Sequence, residues 1–366
     1  MYFFSGGKNV NLIKHMTAAL AIITAASFVG CESKKASNAP ELVSEAVTIL
    51  PQNIVFDWQP LYEAKLNEFK KSDKFSQTSN SYGSSMFDLL DLTNDGTPEL
   101  IISPDTDSAS ACEIYTVSDG SLLFIGEVGS SGSFSFFPLN RIIQDEHKGD
   151  GFVIGDFLSF SDTSLDIVLS YYNNADSILS GASLTYEINK EDVSLAEYDA
   201  ALEKYTSAPS LTIGRKYSFT DASINYALHF SESWGGVLTD KQKSLFRNKL
   251  SELINQGYDE AAFELCDLNA DNTPELIVST GTYKAAVCMI YTIENGTLSE
   301  LGTQLDSSGR ICFDIENNVY FSADISGNHY SSLIDTDLDA YQESESIVEC
   351  GRKYLLKDEF IISAFQ

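Results

Sequence analysis

The stretch DLTNDGTPELIIS, Asp91 to Ser103, gathers two aspartates, an asparagine, a glycine and a glutamate into nine residues and then turns apolar. The same pattern returns as DLNADNTPELIVS, Asp267 to Ser279. Carboxylates crowded into one bend repel each other, and a divalent cation reverses the sign of that interaction. Calcium takes six to eight oxygens at about 2.3–2.6 Å. A short loop meets that demand when side chains one, three and five point inward and a carbonyl near seven and a later carboxylate complete the shell. In the first copy these are Asp91, Thr93, Asp95, the Thr97 carbonyl and Glu99. In the second they are Asp267, Asn269, Asp271, the Thr273 carbonyl and Glu275. Gly96 suits the sharp bend after the fifth position, and Asn272, its counterpart, is the next residue best able to take positive φ. Two solvated Asx turns feeding strands are the plainer alternative. The duplicated inward acidic positions favour calcium.

An EF-hand needs a bidentate glutamate at position twelve and a helix directly after it. Position twelve is Ile102 in one copy and Val278 in the other, and Pro98 and Pro274 lead into ELII and ELIV. Each loop therefore opens a buried strand.

Outward from the loops the chain continues to repeat. Upstream of the second, Thr239 can cap a helix with an apolar stripe at Leu245, Phe246, Leu250, Leu253 and Ile254, and Gly257 can stop it. Upstream of the first, Trp58, Leu61, Tyr62, Leu66 and Phe69 form a similar stripe, with Pro60 in the first turn. Downstream, CEIYTVSDGSLLFIG and CMIYTIENGTLSELG place Asp119-Gly120 and Asn295-Gly296 between alternating runs, a tight-hairpin signal. GRKYSFTDASINYAL, from Gly214, rhymes with GRKYLLKDEFIISAF, from Gly351. The first copy adds SLAEYDAALEKY, Ser194 to Tyr205, with helical spacing. The expectation is an α+β fold of two repeated domains, residues 51–228 and 229–366, each a leading helix packed on a mostly antiparallel β-meander.

The acidic loops resemble the calcium loop of FG-GAP/VCBS-type repeats, D-x-[ND]-x-D-G-x-x-[DE]-L followed by an apolar strand. The resemblance covers about fifteen residues per copy. It implies calcium ligation by Asp91, Thr93, Asp95 and Glu99, and by Asp267, Asn269, Asp271 and Glu275. Thr93 and Asn272 depart from the family's usual Asn/Asp and Gly. Helix and loop together are similar to lipid-anchored proteins of Gram-positive bacteria.

The first thirty residues contain no Asp or Glu, carry Lys8 and Lys14, and run apolar from Met16 to Val29. That run is short for a membrane span and fits a secretory signal. It ends in FVGC, Phe28 to Cys31, which resembles a bacterial lipobox with Cys31 as the lipidated residue. Residues 31–50 read as a flexible tether. The cysteines that remain are Cys112, Cys266, Cys288, Cys312 and Cys350. Their odd number argues against a full disulfide framework, and no Cys/His spacing suggests zinc.

The net charge of −30 repels phosphate backbones, which excludes nucleic acid as a natural partner. His147, His229 and His329 fall in no metal-binding pattern, and the chain has no G-x-S-x-G elbow and no phosphate-cradling glycine loop. Tyr171 and Tyr172 could stack on a sugar, although aromatics in strands more often pack. The expectation is a calcium-binding lipoprotein, anchored by lipid on the extracytoplasmic face of a bacterial membrane. It would act as a non-enzymatic binding or scaffold module for a surface protein or glycan, with calcium mainly structural. The rivals are an envelope hydrolase working on glycans or peptidoglycan through dispersed carboxylates, and a solute receptor.

Overall fold

The structure, a computed structural model, describes residues 57–366 except 78–82, 106–109, 150, 162, 175–183, 230–237, 259–260, 270, 282–285, 306–310, 325–326, 332–337, 339–340, 358–359, 362–363 and 365–366. The expected signal segment, the tether and Cys31 lie outside the described residues.

Helix α1, Gln59–Phe69, has Pro60 in its first turn and buries Tyr62, Leu66 and Phe69. α2, Leu195–Thr206, begins with a capping box of Ser194 and Glu197. α3 is Asp221–His229. α4, Asp240–Asn255, is capped by Thr239, whose hydroxyl accepts the Gln242 N–H at 3.3 Å while the Gln242 side-chain Oε1 accepts the Thr239 N–H at 2.8 Å. That exchange satisfies two donors the helix start leaves open. α4 buries Phe246, Leu250 and Leu253, and Gly257 ends it at φ +85°.

Among the described residues, four antiparallel sheets accompany the helices. The first holds β1 (Met86–Leu90), β2 (Glu99–Ser103), β3 (Cys112–Ser118), β4 (Ser121–Val128) and β12 (Tyr217–Ser218), in the order β12-β1-β2-β3-β4. Its counterpart holds β13 (Ala262–Cys266), β14 (Glu275–Ser279), β15 (Val287–Glu294), β16 (Thr297–Leu305) and β21 (Tyr354–Leu355), in the order β16-β15-β14-β13-β21. The registers match. Phe87 faces Tyr217 as Phe263 faces Tyr354, and a bulge falls at Ile114/Tyr115 as at Ile290/Tyr291. Both hairpin turns are left-handed at both central residues: Asp119 and Gly120 at φ +51° and +71°, Asn295 and Gly296 at +52° and +73°.

Each of these sheets is backed by another. Residues Phe134–Phe137 (β5), Ile142–Gly149 (β6), Phe152–Ser161 (β7), Ser164–Asn173 (β8), Tyr186–Ile188 (β9), Glu191–Asp192 (β10) and Leu211–Ile213 (β11) form a seven-stranded sheet. Residues Ile311–Asp314 (β17), Val319–Asp324 (β18), Gly327–Ser331 (β19) and Ile347–Cys350 (β20) form a four-stranded one.

This corrects the expected fold class. Strands hold 44% of the described residues against 21% in helices, so the protein is built of antiparallel sheets and is not a helix-led α+β repeat of two domains. The reason is visible in β2 and β14, which are buried along their whole length. A short helix covers one face of a five-stranded sheet and leaves the other bare. That other face needs a second sheet. Leu90, Leu92 and Ile101 pack with Phe134, Phe136 and Ile213. Cys266, Leu268 and Ile277 pack with Ile311, Phe313 and Val348 in a cluster that also contains Phe87 and Leu89 of the first copy. The cores of the two copies therefore run into one another.

Charge also crosses between the copies. Asp88 and Glu264 occupy matching strand positions and point into the protein. The Gly214 N–H donates to Asp88 Oδ2 at 3.0 Å, and the Gly351 N–H donates to Glu264 Oε2 at 2.9 Å. Gly214 sits at φ +116°, where an added Cβ would lie 2.7 Å from the Gly132 carbonyl oxygen, so this close approach requires glycine. Lys216, in the first copy, pairs with Glu264 in the second; the carboxylate is buried and the lysine side chain is 11% exposed. Burial opposes the Lys216 charge, but Glu264, Tyr217, Asp88 and Cys350 together outweigh it and hold the ammonium protonated well above the usual lysine range. Burial pushes Asp88 up to about 6, against the charges of Lys216 and Lys353 and the Gly214 and Leu89 N–H groups.

Lys216→Met leaves Glu264 buried without its cation and should destabilise the chain by roughly 3–5 kcal/mol, whereas Lys216→Met with Glu264→Leu should recover most of that loss. Urea unfolding of the two variants tests this. Equal destabilisation of both would show that the pair is not coupled.

Candidate metal centre

Each acidic loop is a bend folded around its first aspartate. In the first, Asp91 Oδ1 accepts the Asp95 N–H at 3.1 Å and Oδ2 accepts the Gly96 N–H at 2.9 Å. Asp95 Oδ1 accepts the Thr97 N–H at 2.7 Å, and the Thr93 hydroxyl lies 3.4 Å from Asp91 Oδ1. In the second, Asp267 Oδ1 and Oδ2 accept from Asp271 at 3.2 Å and Asn272 at 2.9 Å, and Asp271 Oδ1 accepts the Thr273 N–H at 2.7 Å. Asn269 Oδ1 accepts the Asp271 N–H at 3.0 Å, while its amide nitrogen donates to Asp271 Oδ2 at 3.1 Å. Asn272 takes φ +64° where Gly96 takes +90°. The glycine-to-asparagine departure thus preserves the bend.

Glu99 and Glu275 sit beneath their loops. Glu99 Oε2 accepts the Leu92 N–H at 2.7 Å and Oε1 accepts the Thr116 hydroxyl at 3.1 Å. Glu275 does the same with Leu268 at 2.9 Å and Thr292 at 2.9 Å. Both are closed to solvent, at 0% and 1% exposure. The structure brings Asp91, Thr93 and Asp95 together in one bend, and likewise Asp267, Asn269 and Asp271. It turns the two glutamates inward, as buckles between loop and sheet. Among the described residues, three His, Cys, Asp or Glu ligand atoms converge within 4.8 Å only at Glu264, Cys266 and Cys350. The three carboxylates of a loop do not meet so closely.

The donor chemistry of the bends still suits a hard cation. An ionised carboxylate has about four lone-pair sites, so an aspartate that accepts one N–H per oxygen keeps acceptor capacity for an ion. Calcium would be held by Asp91, Thr93, Asp95 and the Thr97 carbonyl, and by Asp267, Asn269, Asp271 and the Thr273 carbonyl, all oxygen donors. When bound, it would supply structural charge neutralisation.

Sequence reasoning missed Thr116 and Thr292, although their matching places in IYT of both copies carry the signal. It also missed two supports of the first loop alone. The buried Tyr62 hydroxyl on α1 donates to the Pro98 carbonyl at 2.6 Å, and Arg141 Nη1 donates to the Thr93 carbonyl at 2.8 Å. Tyr171, weighed as a sugar platform, is buried and donates to Glu146 Oε2 at 3.0 Å. It is a packing residue.

A cleft of about 910 Å³ lies between the copies, lined in part by Asp88, Arg215, Lys216, Glu343, Glu345 and Arg352. Gln77 reaches Glu345 Oε2 at 2.8 Å from the opposite copy. No helix among the described residues is long and apolar enough to cross a membrane. No protein-family model, no curated protein and no solved structure matches the chain.

The buckles make a pH prediction for the protein in chelator. Burial pushes Glu99 up to about 8, with the Leu92 N–H opposing and the Asp91 charge adding to the rise. Burial likewise pushes Glu275 up to about 7, against the Leu268 N–H and the Thr292 hydroxyl. Folded-state values raised above the unfolded ones mean that the native chain binds more protons. The contribution is full below the unfolded value of about 4.3 and is lost as pH rises through 7 and 8. The melting midpoint should fall from pH 5 to pH 8.5, and Glu99→Gln with Glu275→Gln should flatten that slope. A midpoint that climbs over this interval would contradict the assignment.

Proposed function

We propose that this chain is a calcium-braced lipoprotein of the bacterial cell surface, tethered through Cys31, that acts as a non-enzymatic binding module. The observation that carries the metal assignment is the repetition of one hydrogen-bond set in two loops: the first aspartate gathers the bend, the fifth-position aspartate caps the next N–H, and a buried glutamate buckles the loop to its sheet. Calcium is structural in this reading. It neutralises two carboxylates at the start of β2 and of β14, the strands at the centre of each core. The charged cleft between the copies supports a binding role, since its walls carry both signs and suit a polar surface partner such as a glycan or an extracellular protein.

The two sites differ. Arg141 brings a guanidinium against the first loop, and Thr93 offers a hydroxyl where the second loop offers the Asn269 carbonyl. Both changes weaken attraction for a cation, so the second loop binds more tightly.

Isothermal titration of the full chain should report two calcium ions of unequal affinity. Asp95→Ala should remove the weaker, Asp271→Ala the tighter, and Arg141→Gln should narrow the gap. With ion at ten times the dissociation constant, each site adds about 1.4 kcal/mol, so chelator should lower the melting midpoint. A protein that retains no calcium and melts identically in chelator would refute the metal assignment. Loss of membrane association in Cys31→Ala tests the anchor separately.

A further inference from the structure

Cys266 ends β13 and Cys350 ends β20, and the fold brings their sulfurs to 2.7 Å across 84 residues of chain. That separation is inside the sum of two sulfur radii, a short step from the bonded length of about 2.05 Å. Both side chains are buried. We propose that Cys266 and Cys350 are a disulfide site, a covalent staple specific to the second copy. The proposal stands on this geometry and does not depend on the calcium reading.

The copies themselves point to a pair. β1 matches β13, and the register of Phe87 with Tyr217 matches that of Phe263 with Tyr354. Cys266 therefore corresponds to Leu90 and Cys350 to Ile213, two buried neighbours in one packing cluster of the first copy. Where one copy has an apolar contact, the other has two thiols in the same relation. Cys266 directly precedes Asp267, which gathers the second acidic bend. A bond there would tie the root of that loop to the strand that returns from the end of the chain.

A metal is the rival use, because Glu264 completes the cluster. Both Glu264 oxygens are already engaged, one by the Lys216 ammonium and the other by the Gly351 N–H. The lysine places a positive charge where a cation would sit. Two thiolates bound to one tetrahedral zinc at about 2.3 Å each would stand roughly 3.8 Å apart. The observed pair is much closer, which favours a sulfur–sulfur bond.

The chemistry is thiol–disulfide exchange with a disulfide oxidant. One cysteine thiolate attacks a sulfur of the oxidant, forming a mixed disulfide and releasing one oxidant thiol. The second cysteine thiolate then attacks the mixed disulfide at its own partner's sulfur, closing the Cys266–Cys350 bond and releasing the other oxidant thiol. Two protons and two electrons leave the pair, and the oxidant is reduced to two thiols. Because both sulfurs are buried in the folded chain, the bond closes during folding, before the core seals.

The full chain, reduced in denaturant, is refolded with oxidised and reduced glutathione, denatured again without reductant, alkylated and digested. The expected result is a Cys266–Cys350 linked peptide, with Cys112 alkylated. Reductant should lower the melting midpoint of the oxidised protein by several degrees, because a long closed loop is released. Cys266→Leu with Cys350→Ile, which installs the pair found in the first copy, should fold and melt identically with and without reductant. Alkylation of both cysteines in the refolded protein would overturn the proposal, as would linkage of Cys266 to a different cysteine. Retention of zinc with both thiols shielded until a chelator is added would overturn it in favour of a metal site.

Discussion

A carboxylate buried beneath a bend holds each half of this protein together. Glu99 and Glu275 are closed to solvent, yet each has an N–H and a hydroxyl in place of water. A buried acid without such partners would be strongly unfavourable, and with them it fixes distance and direction. One oxygen holds the loop at Leu92 or Leu268. The other holds the neighbouring strand, at Thr116 on β3 or Thr292 on β15. The loop that opens the central strand is thereby fastened to the strand beside it.

From that fastening the rest of each half follows. The central strand is buried on both faces, so it demands a helix on one side and a sheet on the other. The helices α1 and α4 meet the first demand with matching residues, Tyr62, Leu66 and Phe69 against Phe246, Leu250 and Leu253. The second demand is met differently in each half, by seven strands in one and four in the other. The halves then share a seam in which Asp88 and Glu264, at matching positions, take N–H groups from Gly214 and Gly351, and Lys216 reaches across to Glu264. Burying such charge is tolerable only because the carboxylates are hydrogen-bonded and the lysine is paired. The polar seam adds direction to the shared apolar core that already joins the copies.

The copies have also diverged where their surroundings differ. Tyr62 uses its hydroxyl to hold Pro98, while the matching Phe246 has none. Arg141 braces the first loop from the turn before β6. Leu90 and Ile213 give way to Cys266 and Cys350. The tyrosine and the arginine each add a support that belongs to the first copy, and every one of these differences leaves the common buckle intact.

Much of the local structure was legible in the residues themselves. The capped start of α4, the two left-handed hairpin turns and the strand after each acidic bend all rest on interactions within a few positions of one another. Helix caps, positive-φ turns and side-chain alternation are short-range, so one chain suffices to read them. The composition of the acidic bends was legible for the same reason. Contacts between distant residues were not. The backing sheets, the inward turn of Glu99 and Glu275, the Lys216–Glu264 pair and the meeting of Cys266 with Cys350 join positions whose proximity depends on how whole sheets stack. A carboxylate written in a loop can face solvent, an ion or the core. Only the tertiary structure decides which, because burial and partners come from segments that the local sequence does not contain.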